Sequence, residues 1–377
     1  MTKNVLIIAG EASGDLHAAN LIRNLKSLNP NLHFFGIGGE KMEKEGVDLI
    51  YRMEKLSIIG VSEIFSKFKY IHTAYKKIID KVRESRPNIV ILIDYPGFNL
   101  TLAKSLNKKD FPVVYYITPQ VWAWGRFRIR SIKKYIDKAV VIFKFEEELF
   151  KRYGIDATFV GHPLLDHIKS DNRDVARDRE SCGLEGNKMT MALLPGSRES
   201  EVTKMLPVML KTAEIILKQK NIQFTLLKTS GINDGVYERI LETSKLRIAA
   251  IKDDSQKCLS ISDFAFVSSG TATLESAIME KPMVIIYKTS LLTAILFKVF
   301  SRTPFIGLVN IIAGKKIVPE ILQYDARPLK LATEILSIIS SEEKLKNQIQ
   351  SLRWVKSSLG TPGASLRAAR IIENFIT

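Results

Sequence analysis

The chain has 377 residues, 46% hydrophobic and 25% charged, with a formal net charge of +16 and two cysteines, Cys182 and Cys258. That length suits two domains of about 150–200 residues, and the composition excludes a disordered or fibrous chain. The two cysteines have neither metal spacing nor the density of a disulfide scaffold, so they read as reduced thiols of a cytoplasmic protein.

The chain opens with Val5–Ala9, an apolar run that predicts a buried strand, and passes through Gly10-Glu-Ala-Ser-Gly-Asp15 into a helical stretch, Leu16–Leu28. Five apolar residues are too few for a secretory leader, so none is expected. Small residues between a first strand and a first helix mark the place where α/β proteins bind ligands. The dinucleotide fingerprint G-x-G-x-x-G is absent, and Glu11 and Asp15 would repel a pyrophosphate. With Ser13 between them, they suit hydroxyl groups such as those of a sugar. The plainer role for Asp15 is to cap the helix.

Residues 62–81 carry Ile64, Phe65, Phe68, Ile71, Tyr75, Ile78 and Ile79 on one helical face, and lysines on the rest. This pattern fits an interfacial helix or an acyl-chain pocket, with Phe65 and Phe68 on the acceptor side, and equally a helix packed on a sheet. Residues 51–150 hold 19 Lys and Arg against 10 Asp and Glu, whereas residues 151–200 balance at 8 and 8. The local excess points to an anionic surface or ligand.

Ile89–Ile93 predicts another buried strand, and Asp94-Tyr-Pro96 follows it. An acid at the carboxyl end of a parallel strand is delivered to the substrate-binding rim, where it can serve as a general base or simply cap a turn. Val113–Ile117, Ala139–Phe143 and Thr158–Val160 continue the strand series. Trp122-Ala-Trp124 and the arginines of Gly125-Arg-Phe-Arg-Ile-Arg130 add aromatics and positive charge. The polar segment Lys169–Lys188 reads as an interdomain connection.

The second half repeats the rhythm with Met191–Leu194, Phe224–Lys228, Phe264–Val267 and Met283–Tyr287. Strands separated by helical segments predict parallel sheets, hence two doubly wound α/β domains facing a cleft. Leu194-Pro-Gly-Ser-Arg198 is a strand-to-turn junction in which Gly196 and Ser197 offer donors and Arg198 a forked phosphate contact. Ser269, Gly270 and Thr271 open a helix and form an anion-binding concavity. Glu275, one turn inside, can accept from ribose hydroxyls or merely complement the helix dipole. Ser290–Ile312 is apolar, but Lys298, Arg302 and Pro304 interrupt it short of the ~20 residues a spanning helix needs. The closing segment Ala364–Phe375 predicts a last helix.

In combination, Gly10-Glu-Ala-Ser-Gly-Asp15, Gly36-Ile-Gly-Gly39, Ile93-Asp-Tyr-Pro96, Ile117-Thr-Pro-Gln-Val-Trp-Ala-Trp124, Phe159-Val-Gly-His-Pro163, Leu194-Pro-Gly-Ser-Arg198, Ser269-Gly-Thr-Ala-Thr-Leu-Glu275, Leu308-Val-Asn310 and Leu359-Gly-Thr-Pro-Gly-Ala364 resemble lipid-A-disaccharide synthase. The blocks are collinear over the whole chain. The resemblance implies the two-domain GT-B fold: residues 1–168 for the acceptor and lipid, 169–350 for the nucleotide sugar, and 351–377 crossing back onto the first domain. It implies an inverting transfer from UDP-2,3-diacylglucosamine to 2,3-diacylglucosamine 1-phosphate, giving a β-1,6-linked disaccharide 1-phosphate and UDP. Asp94 and Arg198 are its catalytic candidates, and Asn310, with Gln323, lines its donor site. Where the family pattern has a second acid, this chain has Gly97.

No cofactor or metal is implied. The implied partners are the two acylated sugars and an anionic inner-membrane surface, with a homodimer compatible and nucleic acid excluded. The place is cytoplasmic, peripheral to the inner membrane of a Gram-negative cell. The rival readings are another UDP-sugar enzyme of this fold, a peptidoglycan glycosyltransferase or a sugar 2-epimerase, and a nucleic-acid binding module. The module is opposed by the lack of a nucleic-acid motif.

Overall fold

The computed structural model describes residues 2–54, 64–106, 110–123, 125, 127–168, 174–289 and 303–376, with backbone alone for 64–69. The chain divides into two compact units, Met1–His167 with Leu359–Thr377, and Ile168–Ser358.

Among the described residues, the first unit holds seven parallel strands: β1 (Lys3–Ala9), β2 (Leu32–Gly38), β3 (Val47–Arg52), β4 (Ile89–Ile93), β5 (Val113–Tyr116), β6 (Lys138–Val141) and β7 (Ala157–Phe159). Its helices are α1 (Ala12–Leu28), α2 (Glu40–Lys44), α3 (Ile64–Ser85), α4 (Pro96–Ser105), α5 (Phe127–Tyr135), α6 (Lys144–Arg152) and α7 (Leu164–His167). The order across the sheet is β3-β2-β1-β4-β5-β6-β7. Strands covered on both faces must be apolar at every position, which is why β4 is Ile-Val-Ile-Leu-Ile and buried throughout. The edge strand β3 alternates with solvent and carries no such run.

The second unit holds β8 (Thr190–Leu194), β9 (Gln223–Lys228), β10 (Ile248–Lys252), β11 (Phe264–Ser268), β12 (Met283–Tyr287) and β13 (Glu320–Leu322), in the order β10-β9-β8-β11-β12-β13, again all parallel. Its helices are α8 (Val175–Ser181), α9 (Glu199–Leu217), α10 (Asp234–Leu241), α11 (Ser255–Ser260), α12 (Thr271–Ile278), α13 (Leu308–Ala313), α14 (Pro328–Ile339) and α15 (Glu342–Ser358). Leu193, Phe224, Phe266, Leu210 and Ile335 fill its core.

The last helix, α16 (Ala364–Glu373), belongs to the first unit and packs on α1. Asp166 holds its start by accepting from the N–H groups of Gly363 (2.6 Å), Ala364 (3.1 Å) and Ser365 (3.0 Å). Arg367 adds a bond to the Val160 carbonyl at 2.8 Å. The boundaries differ from the sequence expectation. All of α15 stays in the second unit, so the return begins at Leu359 rather than 351. The segment 169–188 is more than a connection, because α8 lies within it. Its buried Arg179 anchors it through Ile261 O (2.7 Å), Gly186 O (3.0 Å) and Asp263 (2.8 Å).

Candidate active site

In open parallel sheets, ligands bind beyond the carboxyl ends of the strands, where the strand order reverses. The first sheet reverses between β1 and β4, and Ala9 pairs with Ile93 in register. Gly10-Glu11 and Asp94-Tyr95 therefore leave the sheet side by side. A side chain at Gly10 would meet the Tyr95 ring at 2.3 Å, so glycine is what lets that ring lie against the turn. Glu11 is the exposed N-cap residue of α1 and makes no side-chain cap, and Ser13 is exposed in the first turn.

Asp94 and Tyr95 both have left-handed backbone, φ +46° and +45°, and so does Ile117 at φ +56°. Such conformations cost ~1–3 kcal/mol each in residues other than glycine and gather at functional sites. Ile117 also ends β5 one residue before the predicted strand end, because a left-handed residue cannot continue a ladder. Burial, and then the charge of Glu11, push the Asp94 carboxyl up to about 6, against a smaller opposing bond from the Tyr95 main chain. The like charge beside Asp94 comes from Glu11, in another loop. Around Gly97 itself there is open space.

Asp15 does not face a ligand. It is 2% exposed, and its carboxylate accepts from the N–H groups of Gly39 (2.7 Å), Lys41 (3.1 Å) and Met42 (3.1 Å). It caps α2 rather than its own helix, and its acceptor-side assignment is withdrawn. The Gly36–Gly39 block explains itself here, since a Cβ at Gly39 would stand 2.8 Å from an Asp15 oxygen.

The amphipathic stretch falls on α3. Ala74, Ile78 and Val82 are core residues, with Ile71, Tyr75 and Ile79 packed against them. Tyr75 also meets Phe98 edge-on, with ring centroids 6.4 Å apart. For residues 71–82 the packed-helix reading holds and the interfacial one fails. The side chains of Phe65 and Phe68, together with Trp124 and Arg126, lie outside the described residues.

Two groups near this rim are assembled only by the fold. Glu146 is 2% exposed, accepts from Trp122 Nε1 at 3.0 Å and from the Phe143 N–H at 3.3 Å, and is pushed up to about 8 by burial. It fixes the indole of Trp122, which also meets Phe145 edge-on. His17, His162 and His167 gather beside Asp166. Burial depresses His17 to about 4 and His162 to about 3, and mutual repulsion adds to it. No spacing rule joins residue 17 to 162, so only the fold could reveal this group.

The second sheet reverses between β8 and β11, where Leu194 pairs with Val267. Pro195–Arg198 and Ser269–Thr271 leave the sheet together, which brings both phosphate motifs to one switch point. They are not equivalent. Glu201 accepts from the N–H groups of Ser197 (3.0 Å) and Arg198 (3.3 Å), so α9 carries its own anion. Of the donors at Ser197, the N–H is taken by Glu201 and the exposed hydroxyl remains, and a Cβ at Gly196, φ +120°, would strike Glu201. The Arg198 side chain is 66% exposed with its nearest carboxylate oxygen 3.9 Å away.

By contrast, α12 begins at Gly270 with no side-chain cap and open space around that glycine. Its first N–H groups have no intrahelical partner, so of the two turns this is the one whose donors are left open to an anion. Ser269 donates to the Ile306 carbonyl at 3.1 Å. The Glu275 carboxyl is raised by burial and bonded by Ser255.

Asn310 is fully buried and fully bonded. Its amide nitrogen donates to Val318 O (2.9 Å) and Glu320 (2.7 Å), and its oxygen accepts from Ile317 N (2.8 Å) and Val318 N (3.0 Å). An amide has four hydrogen-bond positions and all are taken, so Asn310 braces the loop and does not touch a ligand. Glu320 completes that brace by accepting from Ile306 N and Gly307 N. Gln323 accepts from Thr289 N at 3.3 Å.

Among the described residues, no group of three His, Cys, Asp or Glu side chains is placed to hold a metal ion. No described helix is long and apolar enough to cross a membrane.

The fold recurs in solved structures. A UDP-GlcNAc 2-epimerase from Neisseria meningitidis, bound to UDP-GlcNAc, aligns with TM-score 0.69 at 13% identity, covering 98% of this chain and all of that one. A glycosyltransferase from Rickettsia africae aligns with TM-score 0.58 at 14% identity, covering 100% and 98%. Identities this low establish the architecture, the GT-B pair of Rossmann-like domains, and leave the chemistry to sequence. The family model described as lipid-A-disaccharide synthetase matches residues 5–373. The lipid-A-disaccharide synthase of Syntrophus aciditrophicus is 41% identical over 98% of this chain and 96% of its own. The corresponding protein of Geobacter sulfurreducens is 38% identical over 99% and 98%. A match of this extent decides between the synthase and the other UDP-sugar enzymes that share the fold: the chain belongs to the lipid-A-disaccharide synthase family of glycosyltransferases.

Proposed function

We propose that Asp94 is the general base of a metal-independent inverting transfer, with the acceptor sugar at the β1/β4 switch point and the nucleotide sugar at the β8/β11 switch point. The donor is UDP-2,3-diacylglucosamine and the acceptor 2,3-diacylglucosamine 1-phosphate. Asp94 removes the proton of the acceptor 6-hydroxyl as that oxygen attacks the anomeric carbon, giving the β-1,6 linkage and UDP. A carboxyl at about 6 is ionised at neutral pH yet basic enough to take a proton, which suits a base. Glu11 and Ser13 supply polar contacts to the acceptor. The departing diphosphate is received by the N–H groups of Gly270 and Thr271, with Ser269 beside them and Arg198 and Ser197 from the facing turn. Preorganised donors of this kind stabilise developing charge without a metal. Glu275 accepts from the ribose.

The basic excess of residues 51–150 suits both the acceptor phosphate and the anionic face of an inner membrane, where the chain works from the cytoplasmic side. The observation that carries the reading is the coincidence of an activated carboxylate with one switch point and an uncapped helix start with the other. Incubation with the two acylated glucosamines, followed by mass spectrometry, tests it. The disaccharide 1-phosphate and UDP are expected in equal amounts, and free hexose or epimerised UDP-sugar in their place would overturn it.

A further inference from the structure

We infer that Tyr115 and Asn99 are positioning residues for Asp94: together they grip its main-chain carbonyl and hold residues 94–95 in the left-handed backbone that sets the carboxylate at the rim. The inference rests on the reading of Asp94 as the base.

The Tyr115 hydroxyl, from the neighbouring strand β5, donates to Asp94 O at 2.6 Å. The Asn99 amide, from the first turns of α4, donates to the same oxygen at 2.7 Å and to Ile93 O at 3.1 Å. On the other side, the Asp94 N–H donates to Ile117 O at 3.2 Å. Both main-chain polar groups of Asp94 are therefore tied to β5, to the residue that follows it, or to α4.

Tyr115 and Asn99 are each 0% exposed. Burying a hydroxyl and an amide is unfavourable unless they are bonded, and Asn99 Oδ1 has no hydrogen-bond partner at all. A fold selected for packing alone would be served by Phe and Leu at these places, and by Gly at the strained position 94. The polar pair accounts for what those residues could not do, which is to keep an acid in a conformation it disfavours.

The test is a double-mutant cycle with turnover and melting temperature read together. Tyr115→Phe deletes only the hydroxyl. In the parent protein it should lower kcat by about 10–100-fold, the scale of an ångström of misplacement, with KM for both sugars and the melting temperature held. In an Asp94→Asn background it should cause no further fall, because there is no base left to position. Asn99→Leu, close in volume, gives a second leg with the same expected pattern.

Equal fractional losses in both backgrounds, unchanged turnover in the parent, or a loss of stability large enough to explain the lost activity would each overturn the inference. Failure of the base assignment is distinguishable: it shows as wild-type turnover in Asp94→Asn alone, before either positioning residue is changed.

Discussion

Glu11 and Asp94 stand together at the reversal of the first sheet, brought there by strands paired in register from Ala9 to Ile93. Burial, and then the Glu11 charge, raise the Asp94 carboxyl to about 6. The rate should therefore fall as pH drops through about 6, when the base takes up its proton. Glu11→Gln removes the like charge and should move this acid limb to lower pH, leaving it above the ordinary 3.8 because burial remains. A pH–rate profile that does not move in Glu11→Gln would separate the two residues. Asp94→Asn should cut turnover by about 10²–10⁴-fold and leave UDP affinity intact.

The two switch-point contacts in the second unit should divide by chemistry. Arg198→Ala should weaken UDP and leave uridine unchanged, since a guanidinium reads phosphate. Glu275→Ala should weaken both, since the ribose is common to them. Calorimetric titration with the two ligands separates the cases, and an equal loss of uridine in both variants would contradict the division.

Asn310→Ala should act on stability before affinity. Four buried bonds lose a partner at once, and each buried group left unsatisfied costs ~1–3 kcal/mol. Thermal unfolding should show a marked fall in Tm. An unchanged Tm with a raised donor KM would restore Asn310 to the ligand and remove it from the brace.

Acid should unfold the first unit through its histidines. Folded His17 and His162 titrate near 4 and 3, below the ordinary 6.5, so between these values the unfolded chain binds more protons. Their contribution to stability is complete above about pH 6.5 and is lost as pH falls towards 4. Urea melts from pH 7.5 to 4.5 should show this slope, and His17→Gln should reduce it. Equal slopes in both proteins would exclude His17 as a source.

The sequence by itself determined the repeated strand-and-helix rhythm and every motif that sits at a strand end. Those features are local. A strand buried on both faces must be apolar throughout, and a turn that admits a ligand must be built of small and polar residues. Gly10–Asp15, Asp94, Ser197–Arg198 and Ser269–Thr271 were all legible for that reason. Strands β2, β3, β10 and β13 were not: β3 and β10 are edge strands partly in solvent, β13 is three residues long, and the apolar run of β2 is broken by Gly36 and Gly38.

Only the tertiary structure decided what each polar side chain does. Asp15 finds its partners 24–27 residues away and becomes a cap, Asn310 spends all four bonds on a loop, and Glu201 fills the turn that had looked open to phosphate. The apolar stripe of α3 has one periodicity whether it meets lipid or a sheet, so packing alone assigned Ala74 and Ile78 to the core and set Ile71 and Tyr75 against it. A carboxylate or amide has the same composition on a ligand as in a brace. What separates the two is whether its hydrogen-bond positions are already filled, and that depends on residues far away in the chain.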